Sequence, residues 1–185
     1  MSVLVVGVGG VGRGVCNWLK QRLEHEYGSA KAAGFSMLVI DGPGEEEDQY
    51  KLPDLFQIDV SPQSTEFYQL TQRPGPAIED IQAGRPHPYI DRWLGKSEAQ
   101  KITNPGGIIP ETGYGQVRPA GRVGYFLEAS DLAPRLRALV QGQDFVVMVG
   151  SQSGGTGSGM LLDVAQILRK EKPASAPFHA YIALP

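Results

Sequence analysis

The chain is poor in the features that mark several large classes of protein. Its 185 residues include one cysteine, Cys16, so no internal disulfide can form. Cys16 lies in an apolar helical stretch, where a cysteine serves as a small buried hydrophobe. The formal net charge is only −3, which does not indicate a general nucleic-acid-binding surface. No stretch approaches the run of about twenty apolar residues that a membrane-spanning helix needs. No basic lead-in precedes an apolar segment at the N-terminus, so neither a signal peptide nor a membrane span is expected, and the cytoplasm is the expected location. The three histidines, His25, His87 and His179, have no metal-ligand spacing. Ser151 and Ser153 stand near glycines, but Gly150-Ser151-Gln152-Ser153-Gly154 puts serine at the wrong places for a G-x-S-x-G nucleophile elbow, which argues against a serine hydrolase. No internal repeat is visible.

What remains is ordinary globular material, with 41% hydrophobic and 20% charged residues, in a length that supports one domain with a real core. The 24 glycines and 14 prolines cluster in loops. The most telling cluster is Gly154-Gly155-Thr156-Gly157-Ser158-Gly159. The apolar run Phe145–Val149 precedes it, and an amphipathic run from Met160 to Lys170 follows, so the order is strand, glycine turn, helix. Such a turn presents backbone N–H groups at the positive end of a helix, a ready cradle for phosphate. Glycines allow close backbone approach, and Thr156 and Ser158 add hydroxyl donors. No Gly-Lys-Ser/Thr ending is present, so this is not the Walker form.

A second cradle lies at the N-terminus. The short strand Val3–Val6 leads into Gly7-Val8-Gly9-Gly10-Val11-Gly12, and a helix runs on to about Tyr27. Gly7, Gly9 and Gly12 fit the G-x-G-x-x-G dinucleotide fingerprint. The matching acid belongs about twenty residues further on, and Asp41, at the end of the strand Phe35–Ile40, lies well past that spacing. Asp41 has two readings: a carboxylate for a ribose hydroxyl or a magnesium-bound water, or a cap for the loop Gly42-Pro43-Gly44. A third segment, Gly113-Tyr114-Gly115-Gln116-Val117-Arg118-Pro119-Ala120-Gly121-Arg122, precedes a helical stretch from Val123 to Gly142. Arg118 and Arg122 flank a Pro-Gly turn, where guanidinium groups make bidentate contacts with phosphate. A cation at a helix N-terminus is electrostatically disfavoured unless an anion joins it.

These three loops together resemble the tubulin/FtsZ superfamily. Gly154 to Gly159 reproduces its GGTG-Ser/Thr-Gly signature, Gly7 to Gly12 its first loop, and Gln116-x-Arg118-Pro119-x-Gly121-Arg122 looks closest to the divergent bacterial tubulin-like proteins. The resemblance implies an α/β fold, a parallel sheet with helices on both faces. It implies GTP or GDP as ligand, with Mg2+ as a possible companion, and head-to-tail self-assembly into filaments in a longer form. The nucleotide-binding residues would be Gly7, Gly9, Gly10, Gly12, Asp41, Gly115, Gln116, Arg118, Arg122, Gly154, Gly155, Thr156, Gly157, Ser158 and Gly159.

The chain also departs from the pattern. Gly14 stands where the family places a base-contacting Asn, with Asn17 one helical turn on and placed to compensate, and Ala120 stands where it places a sugar-contacting Glu. The sequence closes at Pro185, just after the apolar run His179–Leu184. It thus stops ahead of the family's ribose loop, central helix and acidic catalytic loop, so the expectation is one incomplete nucleotide-binding domain over 1–185. Within it, 42–112 is expected to be an irregular insertion carrying a strand at Phe56–Val60 and short helices at Thr65–Gln72, Ala77–Ala83 and Pro88–Leu94. Its acidic run Glu45–Asp48 reads as a solvated loop tip. Two other classes stay open: an NAD(P)- or FAD-dependent oxidoreductase resting on Gly7, Gly9 and Gly12, and a nucleotide-binding scaffold without turnover.

Overall fold

The computed structural model describes residues 1–42, 58–59, 64–102, 114, 116–173 and 175–184. In chain order they form β1 (Val3–Val8), α1 (Gly9–Tyr27), β2 (Phe35–Asp41), β3 (Phe67–Gln69), α2 (Pro74–Gln82), α3 (Lys96–Ala99), α4 (Arg118–Val140), β4 (Phe145–Ser151), α5 (Gly155–Lys170) and β5 (Phe178–Ala183). The five strands make one sheet in the order β3-β2-β1-β4-β5. All four pairings are parallel, with Val5 opposite both Met37 and Val147.

Side-chain alternation along the strands explains the layering. Successive residues of a strand point to opposite faces, and here both faces are apolar, as buried parallel sheets require. Leu4, Val6, Val8, Leu38, Ile40, Val146 and Met148 pack with Leu132 and Leu136 of α4 and with Val164 and Leu168 of α5. Val3, Val5, Met37, Val39 and Val149 pack on the other face with Cys16 and Leu23 of α1. Each such side chain contributes about 1.5–3 kcal/mol when fully buried. Helix α1 stops at Gly28, whose φ of 78° places it in the left-handed region while its N–H bonds back to the Glu24 carbonyl, the usual glycine stop. No helix among the described residues is long and apolar enough to cross a membrane.

The segment expected to be irregular is partly regular, and two of its expected elements change type. Thr65–Gln72 is not a helix: Phe67–Gln69 is a strand that extends the sheet beside Val39–Asp41. Tertiary contacts override local preference there. Glu128 of α4, almost fully buried, accepts hydrogen bonds from the Tyr68 hydroxyl and from the Thr71 and Gln72 N–H groups, holding the chain extended. Pro88–Leu94 forms successive turns in place of a helix, because Tyr89 takes a positive φ of 70°. The helix expected at Ala77–Ala83 is α2, begun one turn earlier by Pro74. Of the strand expected at Phe56–Val60 only Ile58 and Asp59 are described, and neither is in a strand: the Ile58 N–H donates to Asn17 and the Asp59 N–H to Glu66. The helix expected from Val123 begins at Arg118, where Pro119 suits a first-turn position. The acidic run Glu45–Asp48 lies outside the described residues.

Candidate phosphate-binding site

The strand order reverses between β1 and β4, since β2 and β3 run off one side of β1 and β5 lies beyond β4. Ligands of open α/β sheets bind at the carboxyl ends of strands at such a switch point. The glycine runs Gly7–Gly12 and Gly154–Gly159 lie there, at the ends of β1 and β4. Gly9 opens α1 at a φ of 73°, and a Cβ on it would stand 2.8 Å from the Gly157 nitrogen, so the two loops are in direct backbone contact. A Cβ on Gly159 would lie 2.6 Å from the Arg122 nitrogen, and one on Gly121 would strike the Gly155 carbonyl, so α4 begins against α5. Gly7 and Gly12 close on each other, Cys16 and Val149, and thus seat α1 on the sheet. Gly10 is the half-buried second residue of α1.

The consequence is electrostatic. The N-termini of α1, α4 and α5 come together, and none has a side-chain cap or an acidic residue in its first turn. A helix N-terminus carries about half a positive charge and N–H groups that lack intrahelical partners. Proteins usually place Ser, Thr, Asp or Asn at that position. Three uncapped ends without a carboxylate in their first turns leave a set of backbone donors that could hold an anion.

The side chains around it are more occupied than the sequence suggests. Thr156, 8% exposed, donates its hydroxyl to Asp41, and the Ser158 hydroxyl turns back to the Gly154 carbonyl. Asp41 also accepts the Gly42 N–H at 2.8 Å, which favours the loop-cap reading. Burial raises the Asp41 carboxyl above its ordinary value, against the opposing pull of the Gly42 N–H, the Arg13 charge and the Thr156 hydroxyl. Arg122 forms a bidentate pair with Asp163 of α5, at 3.0 and 3.1 Å, while its guanidinium lies 4.6 Å from the Trp93 ring centre. That arginine clips α4 to α5. Arg118 and Gln116 are exposed at the start of α4, with Gln116 at a φ of 61°. Gly154 faces open space, and Gly115 lies outside the described residues. Asn17 is spent on the Ile58 N–H at 2.8 Å and is 6% exposed. Among the described residues no group of three or more His, Cys, Asp or Glu is arranged to hold a metal.

Two residues of this site escape a reading by motif. Arg13, 8% exposed, projects its charge toward Asp41 and lies over the Phe67 ring at 5.4 Å. A cation in the early turns of a glycine-loop helix was its only signal. Tyr114, 2% exposed, fills the space between Gly42, Gly124 and Gly155, and nothing local in the sequence announces that packing.

The solved structures include a mutant FtsZ from M. jannaschii that is 18% identical, with a TM-score of 0.47; all of this chain is aligned, and it spans 37% of that protein's length. No curated protein matches in sequence. The oxidoreductase alternative gains no support from either comparison. The sequence profile of the family described as tubulin-like matches residues 4–185, and the chain belongs to that family.

Proposed function

We propose that this chain binds the phosphates of a guanine nucleotide where α1, α4 and α5 begin, and that a longer form assembles head to tail. The observation that carries the binding reading is the set of three adjoining helix N-termini without side-chain caps. Such an arrangement suits an anion and is hard to explain as packing alone, because each N-terminus would be more stable with a Ser or Asp cap. The backbone N–H groups of Gly9 to Gly12 would take one side of the phosphates and those of Gly155 to Gly157 the other. Exposed Arg118 would supply the mobile cation. Arg122, Thr156 and Ser158 would act through the loops they hold.

Guanine as the base, Mg2+ as companion and filament formation rest on family membership, and a tubulin-like chain of this kind would associate through a heterologous contact that does not close. Calorimetric titration with GTP, GDP, ATP and NAD tests the reading. Binding of GTP and GDP in preference to NAD is expected. NAD binding without GTP binding would refute it in favour of a dinucleotide enzyme. Pelleting with GTP against GDP tests assembly, and equal sedimentation in both would refute nucleotide-linked polymerisation.

A further inference from the structure

Tyr114 occupies a socket in which three glycines replace side chains. A Cβ on Gly42 would lie 3.0 Å from the ring, one on Gly155 would lie 2.8 Å from the Tyr114 Cβ, and one on Gly124 would strike the hydroxyl. Gly42 lies just after β2 and Gly124 in the second turn of α4, and the ring sits between them, while the Tyr114 backbone and Cβ rest on Gly155 in the first turn of α5. The phenol oxygen is fully buried and has no hydrogen-bond partner among the described residues. An unpaired buried hydroxyl costs free energy, so what the residue supplies here is the shape of its ring. Just after it, the Val117 N–H donates to the Tyr114 carbonyl at 2.8 Å and the Gly121 N–H to the Val117 carbonyl at 3.1 Å, which leads the chain into α4.

We propose that Tyr114 is a positioning residue, a plug that locks the loop entering α4 against the first turn of α5 and so sets the spacing of the phosphate cradle. Its effect on nucleotide affinity rests on the binding reading above, whereas the lock itself does not. Burial, with the Glu128 and Asp41 charges nearby, pushes the phenol above its ordinary range and keeps it neutral.

Amide hydrogen exchange on the full chain tests the lock without nucleotide. In Tyr114→Ala the Val117 and Gly121 amides should exchange at least about tenfold faster through local opening, while the β1 amides stay protected. Phenol added to that variant should restore protection by filling the vacated space, as small aromatics fill engineered cavities. Tyr114→Phe should behave as the parent. Where Tyr114→Ala unfolds globally, Gly124→Ala serves instead: it favours the helix yet blocks the socket, and should loosen the same two amides. Parent-like exchange at Val117 and Gly121 in whichever variant folds overturns the proposal. Calorimetry then reads the consequence: GTP affinity down about tenfold in Tyr114→Ala, recovered by phenol, and within about twofold in Tyr114→Phe. A parent chain that binds no GTP refutes the binding reading, and the exchange result still decides the lock.

Discussion

Gly154→Asp separates fold from function by moving them in opposite directions. Gly154 is the N-cap of α5, with extended backbone at φ −89° and ψ 159°, and a Cβ there meets nothing within 4 Å. Aspartate suits that position sterically and chemically, since its carboxylate accepts first-turn N–H groups. Its attraction to the helix dipole is worth about 0.3–1 kcal/mol, which raises Tm by about 1–4 °C in a chain of this size. The same carboxylate faces whatever anion the cradle holds. At about 4–8 Å and an effective dielectric of about 20, one pair of like charges repels by about 2–4 kcal/mol. GTP affinity should therefore fall at least about thirtyfold, and the deficit should shrink as salt rises. Scanning calorimetry and titration calorimetry at two ionic strengths measure both quantities. A raised Tm with unchanged GTP affinity would refute the claim that phosphate sits at α5. A lowered Tm would refute the assignment of Gly154 as an open cap.

Four further expectations can be tested alongside. Arg122→Ala should cost about 1–2 kcal/mol of stability through the lost Asp163 pair and Trp93 stack, discounted because the arginine is partly exposed; Arg118→Ala should leave the Tm nearly unchanged and weaken GTP binding about tenfold, and equal behaviour of the two variants in denaturation and titration would contradict their different placements. Gln116→Gly should stabilise by roughly 0.5 kcal/mol, the relief of about 1 kcal/mol of left-handed strain less glycine's entropy, and a destabilised variant in a urea melt would argue against that backbone. Asp41 is raised from its ordinary 3.8 by burial, so the folded chain holds that proton more tightly than the unfolded chain. Stability should accordingly fall as pH rises from the unfolded value through the raised folded one; Asp41→Asn should flatten that slope, and an unchanged slope in pH-dependent melts would refute the assignment. Cys16 is fully buried and its thiol is pushed up to about 12, so a thiol reagent should label it only when the chain is unfolded, and rapid labelling of the native protein would contradict its packing.

The strands and the glycine runs were legible because their signals are local. An apolar run of four or more residues followed by glycines and a helical period marks a strand, a turn and a helix whatever surrounds it, and β1, α1, β2, β4 and β5 fall within two residues of where those patterns place them, whereas α5 starts at Gly155, five residues ahead of the expected Met160, because the glycines read as a turn form its first turn. The family, too, was legible, because its signature is written in short contiguous loops. The type of the 65–72 segment was not, since a buried carboxylate from Glu128, distant in sequence, decides its backbone.

The glycine runs Gly7–Gly12 and Gly154–Gly159 are set by sequence alone, and the missing side chains of Gly9 and Gly157 let backbone close on backbone where β1 and β4 end. What the side chains beside them do is a matter of the packed fold. Arg122 turns to Asp163, Thr156 to Asp41 and Asn17 to Ile58, while Tyr114 finds a socket of three glycines far apart in the chain. Those outcomes depend on which atoms meet across the fold. A long polar or aromatic side chain reaches several partners, and burial rewards the one that leaves the fewest polar atoms unpaired and the least space unfilled.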